Sequence, residues 1–131
     1  MRFMYIVTSS HPPGPPTPAL MEAMGKLADR EIKAGRLVDT GGLMPLALGA
    51  QVRITDGQLR VVDGPFVETK EVIGGYAIFE LRDKEEAVAA AVEFMQLHKD
   101  HMPGWEGTCE VRSFAMPAHE GGCQVDALAH A

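Results

Sequence analysis

Apolar residues fill both faces of the first extended segment. In residues 2–8, RFMYIVT, Phe3, Tyr5 and Val7 point one way and Met4 and Ile6 the other. A strand covered on both sides has this pattern. HPPGPP at 11–16 excludes helix and central strand, because proline fixes φ and lacks the amide donor. It is expected to be a stiff surface loop, or else a polyproline ligand for another protein. Thr17-Pro18 supplies a hydroxyl cap followed by proline at the first helical position. Leu20, Met21, Met24, Leu27, Ala28 and Ile32 then form an apolar stripe, and Gly35 suits the end, so a helix is predicted over 18–34. LVDTGGLMPL, 37–46, predicts a strand that breaks at Gly41-Gly42.

Further along, VRIT (52–55) and LRVVD (59–63) flank Asp56-Gly57, with Gln58 at the edge. This predicts a hairpin, because Asp-Gly suits a turn with positive φ. GGYAIFELR, 74–82, predicts another strand. Asp83 with Glu86 three residues on resembles a capping box. Val88, Ala91, Val92 and Met95 give the following helix, over 84–98, its apolar face. TCEVRSF, 108–114, predicts the last strand. From residue 116 the pattern loses its period, and 116–131 is expected to be a mobile tail.

The element order is therefore β-α-β, a hairpin, then β-α-β. This predicts an α+β fold, a ferredoxin-like split βαβ sandwich over residues 1–115 with both helices on one face. The other face lacks a cover, yet its strands carry apolar residues. A second copy of the chain is the simplest cover, so a homodimer is expected.

Composition narrows the partners. A chain of 131 residues favours one domain. Its net charge of −6, with acids spread along the chain, argues against nucleic acid and anionic membranes. Eight methionines suit an adaptable core. Two cysteines, Cys109 in a strand and Cys123 in the tail, make neither a disulfide framework nor a Cys-only metal site. A reduced, cytoplasmic protein is the expectation. The amino-terminal run FMYIV is too short for a signal sequence or a membrane span.

Most of the candidate chemistry gathers in DGPFVETKE, 63–71. Asp63-Gly64-Pro65 turns the chain out of the sheet, and Phe66 can plug a hydrophobic hole. Glu68, Lys70 and Glu71 would then stand at the mouth between the sheet and a partner copy. They form either a rigid elbow with charges paired across the interface, or a small-molecule cleft. In a cleft, one acid with a raised pKa would serve as general acid or base.

Elsewhere, His98 and His101 share a helical face, and three readings stay open: charge-matched helix end, metal ligands, or His98 as catalytic base. Trp105, the sole tryptophan, either covers the end of the core or stacks on a ligand. Asp39 is either a strand-end acid bonded to backbone donors or a catalytic acid. Arg53 and Arg60 face solvent or an anionic substrate. Tyr5 and Tyr76 fall on neighbouring strands, where either could touch a cleft. There is no phosphate-binding glycine loop, no G-x-S-x-G elbow and no four-ligand metal pattern. No cofactor and no metal are expected.

Asp63-Gly64-Pro65-Phe66, followed by Glu68, Lys70-Glu71 and Gly74-Gly75-Tyr76, resembles the DGPF motif of the YCII-related family. The resemblance covers residues 2–114, including GRLVDTGGL. It implies a ferredoxin-like chain pairing into a dimeric α+β barrel. It also implies an uncharacterised protein, often found beside a sigma factor of the extracytoplasmic-function type. More distant relatives resemble small enzymes with a His–Asp pair, as in eliminating chloride from an aromatic ring. Asp39 stands where that acid would be, but residues 18–35 contain no histidine. The expected function is a small-molecule binder or proton-transfer enzyme, of isomerase or lyase type, with its cleft between sheet and dimer partner. Asp39, His98, Glu68 and Glu71 are its candidate catalytic residues. Asp63, Phe66, Lys70 and Tyr76 are its candidate substrate contacts. The alternative is a non-catalytic regulatory or interaction protein working with the sigma factor.

Overall fold

Strand β1 (Arg2–Ser9) lies inside a four-stranded antiparallel sheet. The strand order is β2 (Leu37–Gly42), β5 (Val72–Glu80), β1, β6 (Gly107–Ser113). Helices α1 (Pro18–Lys33) and α2 (Lys84–His101) connect β1 to β2 and β5 to β6. This is the expected ferredoxin-like split βαβ arrangement. The structure, a computed structural model, describes residues 1–9, 15–63 and 72–115. Residues 11–14 of HPPGPP, residues 64–71 of the DGPF segment and the tail from 116 lie outside the described residues.

Between β2 and β5 the chain inserts a 3-10 turn (Leu46–Leu48) and a hairpin, β3 (Ala50–Thr55) with β4 (Gln58–Asp63). Asp56 and Gly57 adopt φ of 53° and 74° in its turn, the conformation that favours Asp-Gly in a two-residue connection. Gln58 pairs with Thr55 as the first rung of the ladder. The hairpin forms a sheet of its own.

Register decides what faces the helices. Phe3 pairs with Phe79 and Tyr5 with Ala77, and Leu37 and Val111 join the same face. Phe3, Tyr5, Phe79 and Leu81 pack there against Ala87 and Ala91 of α2. The opposite face carries Met4, Ile6, Tyr76 and Ile78, and no described helix covers it.

Both helices begin as expected. The Thr17 hydroxyl accepts from the Leu20 amide at 3.1 Å, and Asp83 accepts from the Glu86 amide at 2.9 Å. Gly35, at φ 74°, follows the end of α1. The buried faces differ from the expected stripes. Met21 and Ile32 are exposed, and Leu20, Met24, Leu27 and Ala28 share the inner face of α1 with buried Glu31. On α2, Val88 and Val92 are exposed, while Ala87, Ala91 and His98 are buried. Small alanines let α2 approach the sheet closely, so the bulkier valines turn outward. Helix α2 also runs three residues past the predicted end, to His101. Among the described residues, no helix is long and apolar enough to cross a membrane.

Candidate functional site

The helices do not fill the space above the sheet. A cavity of about 480 Å³ lies between α1, α2 and the sheet. That is within the size range of small-molecule sites, roughly 300–1,000 Å³. Its wall is mostly apolar: Val7 and Phe79 from the sheet, Leu20, Met24 and Leu27 from α1, Phe94 from α2. Gly41, Gly42, Gly74 and Gly75 form one corner. Without side chains there, the cavity reaches the sheet backbone. The ladder slips between Val7 and Thr8, which places Gly74 in a bulge at that corner.

His98 is the polar centre of this wall. It is 7% exposed and held between the rings of Phe94 and Trp105, with centroid distances of 4.7 and 4.6 Å. Its Nδ1 lies 3.1 Å from the Phe94 carbonyl oxygen. A carbonyl can only accept, so Nδ1 carries the proton and Nε2 keeps its lone pair. Among the described residues, Nε2 has no hydrogen-bond partner, and it faces the cavity. Burial lowers the His98 pKa below its ordinary value and the Phe94 bond only partly opposes this, so the ring is neutral near pH 7.

The charged residues of the wall, Glu31 and Glu93, are bound to arginines behind them. Glu31, 2% exposed, accepts from Arg36 Nε and Nη2, both at 2.6 Å, and from Arg30 Nη2 at 2.7 Å. Arg30 also makes a two-pronged pair with Glu93 of α2, at 2.6 and 2.8 Å. Burial pushes the Glu31 carboxyl up, but the hydrogen bonds from Arg36 and Arg30 outweigh it and hold the pKa below the ordinary value. At the far end of α1, the Thr17 hydroxyl donates to the His101 carbonyl at 2.7 Å. Helix α1 is thus tied to α2 at both ends. The Tyr5 hydroxyl donates to the Ala87 carbonyl beneath the cavity. Cys109, facing Val7 across the ladder, has its thiol pushed up to about 11 by burial.

Asp39 and Tyr76 form a second constellation. Tyr76 donates to Asp39 Oδ2 at 3.0 Å, and the Thr40 amide donates to Oδ1 at 2.9 Å. The bond to Asp39, and then that carboxylate's charge, raise the Tyr76 pKa. Tyr76 pairs with Ile6 and Gly41, and Asp39 pairs with Ile78, so both belong to the uncovered face. Gly41 allows the tyrosine ring to cross it: a Cβ there would stand 3.0 Å from Tyr76 Cε1. Tyr76 also borders the glycine corner of the cavity, whereas Asp39 does not line it.

The expected residues therefore separate. His98 lines the cavity on the helix side, and Asp39 sits with Tyr76 across the sheet, so these two form no dyad. Asp63 ends β4 opposite Ala50 and is exposed. Phe66, Glu68, Lys70 and Glu71 lie outside the described residues. The described cavity also differs in place from the expected cleft, lying beneath the helices of one chain. Glu31, Arg30, Arg36 and Glu93 went unnoticed in the sequence. Position 31 follows Leu20, Met24, Leu27 and Ala28 at helical spacing, and that spacing was the available signal. His98 and His101 gain no metal-binding company: among the described residues, no group of three or more His, Cys, Asp or Glu could hold an ion.

Comparison with known proteins yields two findings. The family model described as the YCII-related domain matches residues 1–98. An uncharacterised protein of Rhizobium meliloti (strain 1021) is 28% identical over 97 residues, which cover 74% of each chain.

Proposed function

The chain belongs to the YCII-related domain family, and from that premise we propose that it is a small-molecule binding protein with proton-transfer chemistry of the isomerase or lyase type. Its site is the cavity between α1, α2 and the sheet. One observation carries the proposal: a buried, neutral His98 with Nδ1 engaged and Nε2 without a partner among the described residues, set in an apolar wall. Such a nitrogen can take a proton from a bound molecule. Asp63, which begins the Asp63-Gly64-Pro65-Phe66 run, supports placement in the DGPF subgroup.

A thermal-shift screen in deuterated buffer tests both halves. Molecules that raise Tm should lose that effect in Met24→Trp, which fills the cavity. One or more of them should gain deuterium at carbon with the native protein but not with His98→Gln. Binding without exchange would leave a binder and remove the catalytic half. No cavity-dependent binding would remove both.

A homodimer belongs to the same proposal, supported by the uncovered Met4, Ile6, Tyr76 and Ile78 face. The second reading is a non-catalytic interaction protein working with an extracytoplasmic-function sigma factor. The hairpin favours it: Val52, Ile54, Leu59 and Val61 are cross-strand neighbours on one face and 69–76% exposed. Co-elution with such a sigma factor, lost in Ile54→Ser/Leu59→Ser, is the expected result on that reading.

A further inference from the structure

The chemistry of the wall narrows what the cavity can hold. Among the described residues, no lysine or arginine lines it. Arg30 and Arg36 are bound to the lining carboxylates Glu31 and Glu93. Among the described residues, an anionic ligand would therefore meet two carboxylates and no free cation. A cationic ligand gains nothing either, because those two acids and two arginines cancel.

Most of the described hydrogen-bonding capacity is taken up. Of the lining hydroxyls, those of Tyr5, Thr40 and Tyr76 already donate to Ala87, Tyr76 and Asp39 respectively, while Thr8 and Ser9 also line the cavity. Among the described residues, His98 Nε2 has no donor, on a residue that is 7% exposed. Leaving such an acceptor unmet inside an occupied apolar cavity is costly, so the ligand should supply a donor.

We propose that the cavity takes a neutral, largely apolar molecule bearing one hydroxyl or N–H group, which donates to His98 Nε2. This rests on the reading of the cavity as the binding site, and it adds the ligand's charge and its one polar requirement. Trp105 gives the test a local reporter, being the only tryptophan and lying against the His98 ring.

Three probes of similar size separate the outcomes: 1-octanol, heptyl methyl ether and octanoate, each titrated at pH 8 while Trp105 fluorescence is followed. The expected result is 1-octanol binding about tenfold more tightly than the ether, with octanoate weakest. His98→Phe should erase the alcohol's advantage and leave ether binding in place. Equal affinity for alcohol and ether in the native protein would overturn the inference while the cavity stood as an apolar site. Tightest binding by octanoate would overturn it in favour of an anion site. No binding by any probe would overturn the inference and count against the cavity reading as well. The native-protein series decides the matter even where the His98 variant fails to fold.

Discussion

Glu31 and His98 are both buried polar groups on inner helix faces, yet they depend on pH in different windows. The His98 pKa is lower folded than unfolded, so the unfolded chain binds the extra proton first. Stability is then present above the ordinary histidine value of about 6.5 and declines as pH falls below it. Glu31 has a lowered carboxyl pKa, so its contribution is lost only as pH falls through the carboxylate range. Urea unfolding midpoints should therefore drop in two stages between pH 8 and pH 3. His98→Phe should remove the first stage alone, and a native profile flat from pH 8 to pH 5 would refute the assignment. His98 could be singled out in the sequence because histidine is rare and sits at the edge of a stripe. Glu31 could not, because a glutamate among Arg30, Lys33 and Arg36 resembles any solvated helix surface. Its meaning depends on Glu93, 62 positions away and on the other helix.

At the scale of elements, local chemistry predicted the ends better than the faces. Thr17-Pro18, Asp83 with Glu86, Asp56-Gly57 and Gly35 each act within a few residues, and each stands where it was expected. Which side of a helix is buried depends instead on the sheet beneath it. Both helices carry more apolar residues than one face can use, so Met21, Ile32, Val88 and Val92 could not be sorted from the pattern. Thr17 has two partners, the Leu20 amide and the His101 carbonyl. Thr17→Ala should lower stability by about 1–2 kcal/mol in urea unfolding. Hydrogen exchange should quicken at both the start of α1 and the end of α2. Quickening at α1 alone would show that the link to His101 is idle.

For the molecule as a whole, the sheet order followed from the order of elements, since a split βαβ chain with two crossovers leaves few ways to pair. The cavity did not follow. It arises where α1 stands off from the sheet and four glycines withdraw their side chains, and neither distance is written in a hydropathy pattern. The separation of His98 from Asp39 likewise depends on strand register, including a slip between Leu37 and Asp39. Met4, Ile6, Tyr76 and Ile78 remain half-buried on the uncovered face. Sedimentation at micromolar concentration should give a dimer, and Ile6→Arg should give a folded monomer. A monomeric native protein would remove that face as an interface.

The ties at the two ends of α1 also constrain how the cavity fills. Arg30–Glu93 anchors one end and Thr17–His101 the other, so the helix cannot swing away as a hinged lid while both hold. A guest either enters with both ties closed or waits for one of them to open. In the second case, admission would be timed by the rupture of a single hydrogen bond at Thr17. Thr17→Ala would then hasten entry and exit alike and leave the equilibrium affinity almost unchanged.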